Sequence, residues 1–469
     1  MNTSLEDLAR LMALPREIER IEFKEAKNQY DLTRLFRYCV AIANEGGGRL
    51  ILGVSDERPR RIIGTRAFSN PNEIQTRVLD KLGFRVVVEE VLHPDGRVLI
   101  FHIPSRPTGT AYQLDGAYFM RSGEDTVPMT EDRLRAIFDE GKPDWLAEFA
   151  CTDVSPADVV QLLDTQSCFD LLKLPYPGTR GAVLDRLQRD RIVVKRNNAY
   201  AITNFGAILF AKRLDEFQGL GRKAPRVIVY EGTSKLRTRL DQPGMRGYAV
   251  GFQGLIDFII AQTPTNEVIE KALRSQVKMF PDIAIRELVA NALVHQDFRE
   301  TGTSVAIEVY QDRIEISNPG KPFIPPERFI DEYQSRNERL GDLMRRIGIC
   351  EEKGSGIDKV VHSAEVYQLP APDFRVGERR TTVVLFAHKR FQDMDRSDRI
   401  RACYQHCCLR YVMNERMSNQ TLRERFKLPE ERSETVSRII RETTEAGLVK
   451  LDNPEIASRR YARYIPFWA

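Results

Sequence analysis

The stretch Asp282-Ile-Ala-Ile-Arg-Glu-Leu-Val-Ala-Asn-Ala-Leu-Val-His-Gln-Asp297 is the one on which the predicted fold depends. Its apolar residues recur at helical spacing, which predicts one helix with Asp282 available to cap the first turn. Glu287, Asn291 and His295 follow at intervals of four, so they share one face of that helix. A carboxylate that orients water and an amide that ligates Mg²⁺ suit a nucleotide phosphate. The alternative is a helix with one polar, solvated face.

Composition and charge describe an ordinary globular protein. The 469 residues suffice for roughly three or four domains. With 71 Lys and Arg against 67 Asp and Glu, any nucleic-acid binding must be local. The polar N-terminus is not a signal peptide and long apolar runs are missing, so we expect a cytoplasmic protein without membrane spans. Cys403, Cys407 and Cys408 are expected as reduced thiols on a buried helix face.

The predicted fold class is multidomain, α/β and α+β. Residues 1–140 show an α/β pattern, and residues 141–270 form a less regular α/β connecting region. Within the latter, residues 201–250 hold nine Lys and Arg but four Asp and Glu, including Lys235, Arg237 and Arg239. This segment predicts a solvated loop or a basic hairpin, and the loop is favoured. The predicted helices over both regions lie at 4–12, 31–43 and 206–214, and the predicted strands at 17–24, 85–92, 97–103, 117–121 and 226–230. A Gly-rich turn leading into a buried strand is predicted within 44–56, and a helix followed by a strand over 182–194.

Residues 271–390 and 391–469 are predicted as two further domains. In the first, the helix at 282–297 is followed by strands at 305–310 and 313–317, a helix at 340–347 and a strand at 381–386. The second has three helices, at 400–413, 419–426 and 429–446, and two strands, at 448–451 and 461–467. Three helices followed by a β-ribbon are typical of a winged helix-turn-helix domain.

Two glycine loops follow the central helix in the order that a nucleotide pocket requires. Asn318-Pro-Gly320 ends a strand, and Gly354-Ser-Gly356 begins a helix whose free N–H groups attract phosphate. Together with Glu287 and Asn291, these loops resemble the α/β ATP-binding sandwich shared by gyrase, heat-shock chaperones, histidine kinases and MutL. The resemblance covers about residues 270–390. It is strongest to the branch of this family that occurs in bacterial RecG-like transcriptional regulators.

This resemblance implies ATP and Mg²⁺ as cofactors. It places Glu287 as the water-orienting residue of an ATPase, Asn291 as the Mg²⁺ ligand and residue 318 beside the adenine. We further expect lid segments near residues 336–346 to order over the phosphates. The family has Asp where this chain has Asn318, so binding is favoured over hydrolysis. The implied nucleotide-binding residues are Asn291, His295, Asn318, Gly320, Gly354, Ser355, Gly356 and Thr382.

A second resemblance involves the segment Glu17-x4-Glu22-Phe-Lys24 and the run from Ala43 to Asp56 with its three consecutive glycines. Over about 14–135, these motifs resemble the Schlafen AlbA-like domain. In Schlafen ribonucleases, three carboxylates bind a divalent metal, and the match implies Glu17, Glu22 and Asp56 as ligands of Mg²⁺ or Mn²⁺. Lys24 is expected on the opposite face of its strand, where it contacts nucleic acid.

These motifs favour an ATP-binding, nucleic-acid-binding regulator, specifically a DNA-binding transcriptional regulator that forms a homo-oligomer. The alternatives are a Schlafen-like metal-dependent endonuclease acting on RNA or tRNA, as in phage defence, and a scaffold with a degenerate pocket. The C-terminal domain has its own alternative, which is dimerisation. Val436, Ile439, Ile440 and Leu448 are predicted to face its core. The predicted nucleic-acid contacts are Lys24, Arg432, Ser433, Arg438, Arg441, Arg459 and Arg460.

Overall fold

The computed structural model divides the chain into two compact units, Met1–Pro143 and Asp144–Ala469, called the N-terminal and C-terminal units below. Their mixture of helices and sheets agrees with the predicted multidomain class. Among the described helices, none is long and apolar enough to cross a membrane. The structure describes residues 3–12, 20–56, 59–123, 125–141, 144–270, 273–350, 355–453 and 462–469.

The N-terminal unit is built on a four-stranded sheet with the order β1-β2-β4-β3. Strand β1 pairs in parallel with β2, whereas the other two pairings are antiparallel. Helix α2 begins after Asp31, whose carboxylate accepts a hydrogen bond from the Arg34 amide, as expected of an N-cap. The elements are α1 Leu5–Met12, β1 Ile21–Lys24, α2 Leu32–Asn44, β2 Gly48–Leu52, α3 Pro71–Leu82, β3 Val87–His93, β4 Gly96–Ile103, β5 Gln113–Leu114, β6 Ala117–Ser122, β7 Asp125–Pro128 and α4 Glu131–Asp139.

The C-terminal unit contains a six-stranded sheet with the order β12-β11-β15-β16-β18-β17. Strand β11 runs parallel to β15, and every other pairing in this sheet is antiparallel. Its elements up to the last strand of that sheet are β8 Phe149–Val154, α5 Pro156–Leu162, α6 Thr165–Leu171, α7 Arg180–Arg189, β9 Val193–Arg196, β10 Ala199–Thr203, α8 Asn204–Phe210, β11 Arg226–Tyr230, β12 Thr238–Pro243, α9 Tyr248–Gln262, β13 Thr265–Glu270, β14 Leu273–Lys278, α10 Asp282–His295, β15 Ala306–Val309, β16 Arg313–Pro319, α11 Glu338–Arg346, α12 Gly356–Val366, β17 Asp373–Val376 and β18 Arg380–Phe386.

A smaller cluster of helices completes the C-terminal unit. Ser418 caps α14 in a capping box. Its Oγ accepts a hydrogen bond from the Thr421 amide at 3.2 Å, and Thr421 Oγ1 accepts one from the Ser418 amide at 3.0 Å. The three cysteines of α13 are free and buried, as expected. Val436, Ile439 and Ile440 are buried, and Leu448 packs at the edge of the same core. The elements are α13 Arg396–Val412, α14 Asn419–Arg425, α15 Ser433–Glu445, β19 Val449–Leu451 and β20 Tyr464–Pro466.

Three of the differences from the prediction concern the central helix and the two edges of the large sheet. Residue Pro281, and not Asp282, occupies the N-cap of α10, so Asp282 is its first helical residue. The basic segment forms a hairpin, because β12 pairs with β11 along its length. Strand β17 was not predicted at all, and it forms only by pairing with β18. The division into four domains and the assignment of a winged helix stay predictions.

Candidate functional site

Helix α10 directs its polar face into a cavity and not into solvent. Glu287, Asn291 and His295 all line this cavity. Glu287 is only 3% exposed, although a carboxylate is costly to bury. The helix can supply such a face because its other residues pack into the largest apolar core of the C-terminal unit. The spacing of four therefore brings the three predicted side chains together, as expected.

The opposite walls come from the segments that carry the two glycine loops. Asn318 on β16, Thr381 on β18 and Gly356 at the start of α12 line the same cavity. A Cβ atom on Gly356 would lie 2.9 Å from Glu287 Oε2 and 3.6 Å from Asn291 Nδ2. Any larger residue would fill the space in front of these two polar groups. The absence of a side chain thus keeps open a cradle beside the helix N-terminus.

The first glycine loop is held by hydrogen bonds from its own strand pair. Asn318 is 8% exposed, and its Nδ2 donates to the carbonyl of Pro319 at 3.1 Å. Thr381, opposite Asn318 in the register, donates from Oγ1 to the carbonyl of Gly320 at 2.8 Å. Gly320 has a φ of +96°, and a Cβ there would lie 2.8 Å from the Asp297 Cβ. Glycine is required at this turn on both counts.

A group of aromatic and basic residues closes the remaining side of the cavity. Arg336 Nη1 lies 3.1 Å from Asp297 Oδ2, and its guanidinium carbon lies 4.3 Å from the centre of the Phe323 ring. Tyr333 meets the His295 ring edge-on. Burial, together with the charge of Arg336, lowers the pKa of His295 to about 4, so this imidazole is neutral at pH 7.

Not every predicted nucleotide-binding residue is seen to line the cavity. Gly354 is outside the described residues. Gly320 and Ser355 are described but are not part of the cavity wall, and Ser355 occupies the N-cap position of α12. Thr382 is not part of the cavity wall, because its neighbours Thr381 and Val383 point there. Lining residues that the sequence did not single out include Lys321, Phe323, Phe329, Tyr333 and Phe374, whereas Arg336 and Arg345 belong to the predicted lid segment. Lys321 and Phe323 come within three residues of Gly320, so the motif itself was a usable signal for them.

The N-terminal unit holds a second polar cluster around Glu22. This carboxylate is 1% exposed and forms an ion pair with the buried Arg121. Lys24 Nζ lies 2.9 Å from Glu22 Oε1 and donates to Asp56 Oδ2 at 2.7 Å. The expectation that Lys24 faces away from Glu22 was wrong, since residues two apart on a strand share a face. Burial opposes the charge of Lys24, but hydrogen bonds with Asp56 and Glu22 outweigh it and raise its pKa.

The same cluster bears on the predicted metal site. Glu17 lies outside the described residues, so the three predicted carboxylates are not seen together. Within the described part of the chain, no group of three or more His, Cys, Asp or Glu residues is arranged to hold a metal ion. Glu22 and Asp56 are instead joined by the ammonium group of Lys24, which occupies the place between the two carboxylates.

The predicted nucleic-acid contacts of the C-terminal helices are divided between exposed and hydrogen-bonded positions. Arg432, Arg438 and Arg441 are exposed, and Arg441 lies 3.8 Å from Glu445. Ser433 Oγ donates to Asn419 Oδ1 at 3.1 Å, so it joins α15 to α14. The described residues do not include Arg459 and Arg460.

Two protein families match parts of this chain. Residues 17–130 match the family described as Schlafen, AlbA_2. Residues 302–385 match the family described as "Putative ATP-dependent DNA helicase recG C-terminal". The second match includes Asn318, Gly320 and Gly356 but begins after helix α10. None of the curated proteins matches the chain significantly.

Solved structures show only distant likeness. The DIP2311 protein from Corynebacterium diphtheriae is 16% identical, over 96% of this chain and 92% of its own, with a TM-score of 0.42. The N-terminal domain of a "Putative ATP-dependent DNA Helicase RecG-related Protein" from Nitrosomonas europaea is 22% identical, over 27% of this chain and 92% of its own, with a TM-score of 0.20.

The family matches, and not these structures, therefore identify the domains. An AlbA domain and an ATPase domain of the RecG type indicate a nucleic-acid-associated protein that binds ATP, with general use of a nucleotide and a divalent cation. The chain contains a Schlafen AlbA_2 domain together with an ATPase domain of the RecG C-terminal type, as its motifs predicted.

Proposed function

We propose that the protein is a cytoplasmic, ATP-responsive regulator that binds nucleic acid, of the DNA-binding transcriptional type, and acts as a homo-oligomer. The observation that carries this proposal is the convergence of Glu287, Asn291 and Gly356, from two separate helices, on one cavity that Asn318 also lines. Seven free cysteines, five of them buried, suit a reducing compartment.

The residues of the cavity fit ATP with a divalent cation. Bound ATP supplies a chain of phosphates that carries the cation. The amide oxygen of Asn291 is a hard ligand of the kind that Mg²⁺ accepts. The free N–H groups at the start of α12, near Ser355 and Gly356, suit phosphate oxygens. We expect Glu287 to orient a water molecule and Asn318 to offer its amide to the base.

Nucleotide titration of the full-length protein tests this function. We expect saturable, Mg²⁺-dependent ATP binding by calorimetry, and a loss of at least about tenfold in affinity for Asn291→Ala, since one good metal contact contributes on the order of 1.4 kcal/mol. Asn198→Ala, in an exposed turn of the same unit, is the matched control. If the wild-type protein binds no ATP and Asn291→Ala changes nothing, the pocket is degenerate and a scaffold role replaces the regulator.

The regulatory part needs a second measurement. Binding of labelled DNA, RNA and tRNA is compared with and without ATP, and sedimentation reports the oligomeric state. A regulator of this kind changes its affinity for nucleic acid when ATP is added, because the nucleotide binds two conformations unequally. Equal affinities at every nucleotide concentration would contradict the ATP-responsive part of the proposal.

Metal-dependent cleavage by the N-terminal unit is the second candidate function. The buried Glu22 and the nearby Asp56 favour it, whereas Lys24, lying between them, favours binding without cleavage. The test is incubation of RNA, tRNA and DNA with Mg²⁺ or Mn²⁺. Cleavage that Glu22→Gln abolishes and Glu25→Gln leaves intact would establish the nuclease. If no nucleic acid is cleaved with any divalent cation, the nuclease function is ruled out.

A further inference from the structure

The hairpin of β11 and β12 projects a basic tip with a leucine at its point. Every residue from 231 to 239 is exposed, and Leu236 is 90% exposed. Its neighbours are Lys235 and Arg237, and Arg239 follows two residues later. Residues 232–239 contain no acidic residue. The tip therefore offers positive charge on both sides of one large apolar side chain.

Several contacts make this hairpin a defined structure. Arg226 donates from Nε to Asp241 Oδ1 at 2.6 Å across the two strands. Lys235 Nζ lies 2.7 Å from Glu308 Oε1, which also accepts from the hydroxyl of Tyr230 at 3.0 Å. Because Glu308 is on β15, the tip is anchored to the next strand of the sheet. The ion pair between Lys235 and Glu308 thus anchors the tip.

The two arginines of the tip have fewer contacts than Lys235. Among the described residues, the side chain of Arg237 has no partner, and Arg239 makes only a 3.1 Å hydrogen bond to Gln262. The guanidinium of Arg237 is consequently free to meet an anion, and Arg239 would give up only one hydrogen bond to do the same. Arginine suits phosphate because its planar donors can bind two oxygens together.

Protection of a sheet edge explains only part of this pattern. Strand β12 is the outer strand of the six-stranded sheet, and charged residues on an edge strand prevent pairing with other chains. Arg239 and Asp241 serve that purpose. An exposed leucine at the tip does the opposite, because it adds an apolar surface beside the free edge. One exposed leucine alone needs no explanation, but Leu236 lies next to Arg237, whose side chain has no partner among the described residues, and near a second arginine, Arg239. This combination indicates a partner that is both anionic and partly apolar.

We propose that residues 232–239 form a nucleic-acid contact, in which Arg237 and Arg239 bind backbone phosphates and Leu236 packs against sugar and base surfaces in a groove. Apolar wedges flanked by cations are a known means of contacting nucleic acid. The inference rests on the proposed nucleic-acid binding but concerns a surface that is distinct from the predicted contacts on α15. It adds a contact from the central region of the chain.

The salt dependence of binding provides the test. For full-length wild-type protein, log K is measured against log salt concentration with the nucleic acid that it binds best. Replacing both Arg237 and Arg239 with Ala should reduce the slope by about 2, since each lost phosphate contact removes about one unit. Leu236→Ser should weaken binding and leave the slope unchanged. Arg375→Ala and Val376→Ser, on the opposite edge strand β17, are the matched controls.

The possible results separate the two proposals. If the wild-type protein binds no nucleic acid, the proposed function fails and the hairpin contact fails with it. If the wild-type protein binds and the double arginine variant keeps both its slope and its affinity, only the hairpin contact is wrong. An equal loss of affinity and slope in the β17 control variants would also overturn the hairpin contact. Circular dichroism spectra must match those of the wild type for each variant.

Discussion

Glu365 Oε1 lies 3.3 Å from Nε of Arg425, a side chain that is only 2% exposed. The same carboxylate lies 3.0 Å from Nδ1 of His406. Glu365 belongs to α12, whose first residue, Gly356, lines the nucleotide cavity, whereas Arg425 ends α14. One helix therefore connects the wall of the cavity to the C-terminal helices. A shift of α12 on nucleotide binding would move this buried ion pair with it.

The first prediction concerns the stability contributed by that pair. Arg425→Met leaves Glu365 without its cation, and breaking a buried pair typically lowers the free energy of unfolding by about 3–5 kcal/mol. Urea denaturation followed by circular dichroism measures the change. Arg441→Met, which breaks an exposed contact with Glu445, should change the free energy of unfolding by no more than about 0.5 kcal/mol. Similar effects of the two substitutions would show that the buried pair contributes no more to the free energy of unfolding than the exposed one.

The second prediction concerns the glycine at the start of α12. Gly356→Ala should reduce ATP affinity by about tenfold or more, because its Cβ would lie 2.9 Å from Glu287 Oε2 and fill the cradle. Calorimetry with ATP and Mg²⁺ measures this loss. Gly254→Ala is the control, since a Cβ there meets nothing within 4 Å. The control should retain ATP binding and gain about 0.5–1 kcal/mol of stability, as alanine favours a helix. Unchanged ATP affinity in Gly356→Ala would contradict the placement of the phosphates.

The third prediction uses two buried groups whose pKa values are shifted in opposite directions. Burial and the charge of Arg336 lower the pKa of His295 from 6.5 to about 4, so the unfolded chain takes up its proton first. The stability that His295 contributes is present above pH 6.5 and is lost as the pH falls towards 4. Burial raises the pKa of Asp358 from 3.8 to about 6. The stability that Asp358 contributes is present below pH 3.8 and is lost as the pH rises towards 6.

Single substitutions should separate these opposing effects. Between pH 6 and 4, we expect His295→Gln to lose less stability than the wild type and Asp358→Asn to lose more. Urea midpoints at pH 7, 6, 5 and 4 measure both differences. Parallel pH profiles for all three proteins would show that neither group titrates abnormally in the folded state.

The fourth prediction concerns the cluster in the N-terminal unit. Arg121→Met removes the buried cation of Glu22, and we expect a loss of about 3–5 kcal/mol in the free energy of unfolding. Lys27→Met, which breaks an exposed ion pair with Glu25, should have an effect of no more than about 0.5 kcal/mol. The measurement is chemical denaturation of the full-length protein. If Arg121→Met is neutral, the Lys24 ammonium alone satisfies Glu22.

The central helix was predictable because its pattern is local. Apolar positions at helical spacing indicated α10, and the spacing of Glu287, Asn291 and His295 placed them on one face. The prediction of Thr382, which lies one residue from the cavity-lining Thr381, shows the limit of that reasoning. A strand alternates faces at every residue, so a register error of one position sends a side chain to the other face.

Two of the strands that the sequence did not predict depend on pairing across the fold. Strands β12 and β17 are the two edges of the large sheet, and each contains charged residues that do not favour a strand by themselves. They become strands only because β11 and β18 offer them free hydrogen-bonding groups. Phe374 lies on β17, so its position in the cavity wall could not be inferred without a prediction of that strand. The anchoring of Lys235 by Glu308, 73 residues away, was hidden for the same reason.

The parallel pairing of β11 with β15 has a consequence for how the protein is made. Val227 lies opposite Ile307, so the middle of the sheet joins residues that are far apart in the chain. Contacts of such high contact order form slowly, because a long loop must close first. On the ribosome, β12 can pair with one edge of β11 at once, but the other edge stays unpaired until β15 has emerged. Fragments that end near residue 270 should therefore expose this edge and aggregate.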